Sequence, residues 1–194
     1  RHRLSKLKLI HTRHGAGDRK GTSDATMALF DLVLLPGRKY ADRFGKLGYL
    51  RPGQYEITGW PKFEAVRALN PDPRRFFDNA NLVAVYNPHF DQRVGSWARM
   101  GLSILDFFVA HPQYNLIFAP HLVLFKRRWR HRAMLPDRYR HVPNILVDTD
   151  SAALADMTYL DAADIYLGDV SSQVYEFLIR PRPSAFLDAH PIQW

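Results

Sequence analysis

Short apolar runs recur along this chain, each closed by a polar or glycine-bearing break. Residues 8–12 (KLIHT), 30–35 (FDLVLL) and 55–58 (YEIT) predict three strands, with helices over 39–47 and 60–69 between and after them. Pro61 opens the second helix, where a missing N–H costs nothing. Residues 70–81 (NPDPRRFFDNAN) carry no period and read as a linker. The alternation then resumes. Strands are predicted at 82–86, 114–119, 144–147, 165–168 and 184–187. Helices are predicted at 96–110, at 122–131, at 152–163 with an interruption allowed, and from Ser172 onward. Apolar strands without polar alternation, separated by helices, imply an α/β fold with a doubly wound parallel sheet. Two domains follow, 1–75 and 76–194.

Parallel sheets bind ligands outside the carboxyl ends of their strands. Polar residues collect at those ends here. His14 follows the first strand, His89 the first strand after the linker, and His121 the next. Asp148 and Thr149 follow 144–147, and Asp169, Ser171 and Ser172 follow 165–168. His89 ranks below His121, because its loop carries no second signal. His11 lies inside a strand and His111 at a helix end, both places for structural histidines.

The most informative stretch is 161–183 (DAADIYLGDVSSQVYEFLIRPRP). It predicts a buried strand, a break at Gly168 and Asp169, an N-cap at Ser171 or Ser172, and a helix ended by Arg180 and Pro181. Such a turn presents unbonded N–H groups, the positive dipole end and two hydroxyls, a setting for phosphate. Glu176, four residues after Ser172, shares its helix face and is placed to reach a sugar hydroxyl. The same stretch equally describes an ordinary capped turn whose serines serve only the backbone. His14-Gly15-Ala16-Gly17 puts an imidazole, able to take a proton from a hydroxyl, on a loop whose glycines allow close approach of a ligand. Taken alone it also describes a turn with a surface histidine.

Composition narrows the classes. No apolar run approaches a membrane span, and no secretory signal precedes the first strand. The absence of cysteine excludes disulfides, thiolate zinc sites and thiol nucleophiles and fits a cytoplasmic protein. The formal charge of +8 points to acidic partners. Lys126, Arg127, Arg128 and Arg130 lie in the densest basic cluster, which suits an anionic membrane or polymer, or simply a solvated face. No RNA-binding signature accompanies it, so no nucleic-acid partner is expected. GxGxxG, GxxxxGK[ST], GxSxG and HExxH are all missing, so neither a nicotinamide cofactor nor a tightly bound metal is expected.

Several segments in order resemble the CDP-glycerol glycerophosphotransferases, the teichoic-acid and capsule polymerases of GT-B fold. They are His14–Gly17, FDLVLLPG at 30–37, Thr58-Gly59-Trp60-Pro61-Lys62-Phe63, Val85-Tyr86-Asn87-Pro88, Ile117-Phe118-Ala119-Pro120-His121, and 161–183. In the last, Asp164, Asp169, Ser171, Ser172, Glu176 and Pro183 match the family pattern. Ala16 and Val170 stand where the family has threonine and tyrosine, and Pro120-His121-Leu122 replaces its usual histidine-proline order.

The resemblance implies a GT-B chain with Rossmann-like doubly wound parallel sheets. Residues 1–75 would be the back part of an N-terminal domain, apparently truncated at its front, and 76–194 the nucleotide-binding C-terminal domain. It implies transfer of a glycerol-phosphate-type or sugar group from a CDP- or UDP-activated donor to a hydroxyl of a polymer or lipid-linked acceptor. His14 would be the base and His121 would stabilise the leaving nucleotide. Gly15, Gly17, Asp169, Ser171 and Ser172 would lie on nucleotide or phosphate, and Glu176 on the ribose. No tightly bound cofactor is implied beyond the nucleotide-activated donor, and the expected location is cytoplasmic, peripheral to the inner membrane face. Two other readings are a UDP-GlcNAc 2-epimerase-like enzyme and a non-catalytic nucleotide- or polyanion-binding module.

Overall fold

The computed structural model describes residues 6–12, 15, 17, 24–69, 76–126 and 134–189, with backbone alone at 66–69 and 126. The chain divides into two compact units, Arg1–Ala68 and Leu69–Trp194.

In the first unit, β1 (Ile10–Thr12), β2 (Leu32–Leu35) and β3 (Tyr55–Ile57) form a parallel sheet in the order β1-β2-β3. Helix α1 (Arg38–Lys46) follows β2 and α2 (Pro61–Leu69) follows β3. Val33 and Leu35 meet Tyr40, Ala41 and Phe44 of α1 in a core that Met27 and Leu50 close. The buried Gln54 donates to the carbonyls of Met27, Ala28 and Phe30, at 3.4, 3.3 and 2.8 Å. It thereby satisfies the end of a 3₁₀ turn, Asp24–Leu29, which the hydrophobic pattern does not predict. Arg43 holds Asp24 at 2.6 Å.

The second unit has five parallel strands: β4 (Val83–Asn87), β5 (Asn115–Phe118), β6 (Ile145–Val147), β7 (Ile165–Gly168) and β8 (Ser184–Phe186). Their order is β6-β5-β4-β7-β8, so the chain steps outward from β4 in one direction, then returns to β4's other side. That order is the doubly wound topology expected of the alternating pattern. β4 and β5 are buried throughout, which explains their continuous apolar runs. Ala84, Tyr86, Leu116 and Phe118 pack against Ile104, Leu105 and Phe108 of α3 (Trp97–Ala110).

The remaining helices are short. Of the helix predicted at 122–131, the described part is α4 (Val123–Lys126). The segment 152–163 is indeed interrupted: a 3₁₀ turn, Ala152–Leu154, is separated from α5 (Thr158–Ala162) by Met157, at φ 71°. Helix α6 (Gln173–Phe177) has only five residues. Arg182 ties these pieces together. Its guanidinium lies 3.8 Å over the Phe177 ring and donates to the carbonyls of Leu160, Asp161, Ala163 and Phe177. Burial, with Arg180 nearby, lowers its pKa to about 10.

Candidate functional site

The reversal of strand order falls between β4 and β7, and register brings their ends together, with Asn87 opposite Gly168. β5 ends alongside, with Phe118 opposite Tyr86. The junction is close. A Cβ on Gly168 would stand 2.8 Å from the Asn87 carbonyl oxygen, so only glycine fits without backbone movement. Asn87, also buried, donates through Nδ2 to the Ala119 carbonyl at 2.6 Å and ties the ends of β4 and β5.

Asp169 follows Gly168 and is 1% exposed. Its Oδ2 accepts from the His89 amide at 2.7 Å and the Ser96 amide at 2.9 Å. One carboxylate oxygen thus holds both ends of the β4–α3 loop. Within that loop the Val94 and Gly95 amides donate to the Asp91 carbonyl, and a Cβ on Gly95 would fall 2.5 Å from the His89 carbonyl oxygen. Tyr166, buried beneath, donates its hydroxyl to the Asp169 carbonyl at 3.0 Å. Burial pushes that hydroxyl well above its ordinary range, against a smaller opposing effect of Ser171.

On this base stand three rings. His89 stacks on Phe90, with centroids 4.6 Å apart, and His121 lies 4.5 Å from Phe90 and 5.6 Å from His89. The His121 amide donates to the Pro88 carbonyl at 3.1 Å. The sequence reading ranked His89 below His121 and did not single out Phe90, and the structure brings all three rings together. The partner that builds their loop, Asp169, lies 80 residues from His89. The only local signal was the Asn87-Pro88-His89 break after a buried strand.

At the β7–α6 turn, the Ser171 hydroxyl accepts from the Gln173 amide, the first of the helix, at 3.2 Å. Ser172 is the residue before the first turn and makes no side-chain cap bond. Both are half-buried, whereas Glu176 is buried within α6.

At the end of β6, the buried Asp148 accepts from the amides of Asp150 and Ser151, both at 3.0 Å, from the Ser151 hydroxyl, and from the Tyr159 hydroxyl at 2.7 Å. Burial alone would raise its pKa. The bonds from Ser151, Tyr159 and Asp150 outweigh that and hold the carboxyl below its usual range. Burial, with Asp148 beside it, pushes Tyr159 up to about 12. Asp148 is thus an anchor of its loop.

In the first unit, the carboxyl ends of the three strands border a cavity of about 260 Å³ lined by Thr12, Leu34, Pro36, Thr58, Trp60 and Lys62. Gly17 accepts a hydrogen bond from the Tyr40 hydroxyl, and Gly15 is half-buried. His14, Arg127, Arg128 and Arg130, and the Lys126 side chain, lie outside the described residues. No helix among the described residues is long and apolar enough to cross a membrane.

No protein-family model and no curated protein matches the sequence. Solved structures do. The wall teichoic acid polymerase TagF superposes with a TM-score of 0.60 at 18% identity, covering 92% of this chain and 48% of that one. UDP-GlcNAc 2-epimerase from Neisseria meningitidis, bound to UDP-GlcNAc, gives 0.63 at 15% identity, covering 94% and 53%. S. aureus MnaA with UDP gives 0.62 at 12% identity, covering 93% and 52%. The chain spans about half the length of these proteins. At such identities the likeness is one of fold: two Rossmann-like parallel sheets with helices, as in GT-B proteins.

Proposed function

We propose that the second unit binds a nucleotide-activated donor at the carboxyl edge between β4 and β7. We further propose that the protein transfers a glycerol-phosphate-type or sugar group from that donor to an acceptor hydroxyl. The observation that carries this reading is the strand reversal. It brings the ends of β4, β5 and β7, with the His89 and His121 loops and the Ser171–Ser172 turn, to one edge of the sheet, and doubly wound sheets take their ligands at such an edge. The structural neighbours are enzymes that handle nucleotide-linked substrates, and one TagF structure was soaked with CDPG.

In this reading Ser171 and Ser172 contact the diphosphate, Glu176 the ribose, and His121 the leaving nucleotide. Asp169 acts through the backbone it holds. His14 takes the acceptor's proton, and Gly15 and Gly17 give the loop around it its close approach. The acceptor is a polymer or lipid-linked hydroxyl. The basic residues Lys126, Arg127, Arg128 and Arg130 would bring the protein to an anionic membrane face on the cytoplasmic side.

A second reading has support of its own, since the two epimerase-type neighbours superpose as well as TagF does. There UDP-GlcNAc would be the substrate itself and the change an inversion at its C2. A thermal-shift panel of CDP-glycerol, CDP-ribitol, UDP-GlcNAc, CMP and UMP tests the common element, because a ligand that binds the native state raises its stability. Stabilisation by CDP-glycerol with transfer to an acceptor supports the first reading, and conversion of UDP-GlcNAc without acceptor supports the second. Ser171→Ala with Ser172→Ala is expected to weaken nucleotide binding by about 10-fold or more, from bonds of about 1.5–3 kcal/mol each to a charged ligand. Unchanged affinity in the folded double variant, measured by calorimetry, would remove the serine turn from the site.

A further inference from the structure

We infer that the apolar groove beside α3 is the docking site of the segment that follows Ala189, His190-Pro191-Ile192-Gln193-Trp194, which would strap the edge strand β8 to the helix. The inference is independent of the nucleotide-binding reading.

The groove is a cavity of about 470 Å³ lined by Met100, Ile104, Phe107 and Phe108 of α3 and by Leu167 of β7. Phe107 is 47% exposed there, although its ring already stacks on His111. Covering such apolar surface is favourable. The polar members of the lining are Arg99 and Ser103. A hollow of that composition recognises apolar side chains, not a polar metabolite.

The described chain is already led to this groove. After β8, the Leu187 amide donates to the Gly168 carbonyl at 3.0 Å, and the Leu187 side chain packs against the core that includes α3. Ala189 is buried, and its carbonyl accepts from Arg99 Nη1 at 2.8 Å. Arg99 is itself part of the groove wall. The next residue therefore starts within an arginine's length of the first turn of α3. From Arg99 to Phe107 the helix advances about 12 Å. Residues 190–194 reach about 16 Å when extended, enough to run the length of the groove.

The residue types suit that course. Pro191 disfavours a helical conformation at His190 and favours an extended one. In an extended chain Ile192 and Trp194, two apart, point to one side, and they are the two large apolar side chains of the segment. The strap would also serve β8, a three-residue strand at the edge of its sheet with Ala185 and Phe186 exposed.

The chain has no cysteine, so introduced pairs report on proximity. Ser103 lines the groove, whereas Leu102, on the exposed side of the same turn, does not. In dilute protein under mild oxidation, Ser103→Cys with Ile192→Cys is expected to close an intramolecular disulfide about 10-fold or more faster than Leu102→Cys with Ile192→Cys, because docking raises the effective concentration of the pair. Separately, Ile192→Ser with Trp194→Ser is expected to lower Tm by about 3–8 °C, and by much less when Phe107→Ala is already present. Equal rates for the two cysteine pairs overturn the proposal, as does an unchanged Tm in the double serine variant. A disulfide that forms only between copies, seen as a dimer on a non-reducing gel, overturns it in favour of a second copy on the groove. Should a cysteine pair fail to fold, the Tm comparison decides.

Discussion

The two sheets meet solvent very differently. β4 and β5 are buried at every position, while β1 and β3 have no buried residue at all. A strand walled in on both faces can offer polar chemistry only at its ends, and the five-stranded sheet concentrates it there. Its edge loops hang on buried polar anchors: Asp169 on the amides of His89 and Ser96, Asp148 on its own turn, and Asn87 on Ala119. In the three-stranded sheet the comparable anchors, Gln54 and the Asp24–Arg43 pair, hold a flanking turn and helix instead of the ends of the strands. The lesson is that, at the five-stranded sheet's edge, the buried groups Asp169, Asp148 and Asn87 build loops, while His89, His121, Ser171 and Ser172 stand half-buried at the same edge.

The sharpest test of that division is Asp169→Ala. It strands two amides, those of His89 and Ser96, beneath a closed loop. We expect a loss of about 3 kcal/mol or more in urea unfolding, together with loss of nucleotide affinity. Retained affinity would show that the loop holds its shape without the carboxylate.

Asp148→Asn comes next. The folded carboxyl lies below its ordinary value. The stabilisation is therefore complete above the unfolded value near 4 and is lost as pH falls through the lower folded one. The variant should be less stable by about 2 kcal/mol at pH 7. The gap to the parent should shrink in acid, below roughly pH 4. A gap constant across a pH series of unfolding curves would assign the effect to packing.

The smallest effect is expected in the first unit. Gln54→Ala removes donations to three carbonyls at the end of the Asp24–Leu29 turn and should cost about 1–2 kcal/mol. Hydrogen exchange should rise at amides of β2 and stay unchanged in β4 and β5. A rise in β4 and β5 would mean that the two units do not open separately.

Much of the architecture was legible in the residue pattern. The five apolar runs after the linker became five parallel strands, and Gly168 marked the end of β7 as the break in IYLGD suggested. The helices were less legible. The interruption allowed in 152–163 is present at Met157, but the turns Asp24–Leu29 and Asp137–His141 depend on tertiary packing, and neither shows a helical period. At the site, spacing placed Asp169 at the strand edge and the resemblance put it on nucleotide or phosphate, and only the fold shows its carboxylate turned onto amides 80 and 73 residues away. Ser172 takes the N-cap position of α6 while the Ser171 hydroxyl makes the bond to its first amide, a division too fine for a pattern in which either serine qualifies.

By itself, the sequence determined the strands, their parallel arrangement and which edge would carry polar residues. Those properties follow from local apolar runs, breaks and the crossover helices between them, and need no partner far along the chain. The tertiary structure decided which polar residues became anchors and which rings came together. A buried carboxylate goes where unpaired amides must be satisfied, and those amides belong to loops brought near only when β4 and β7 pair.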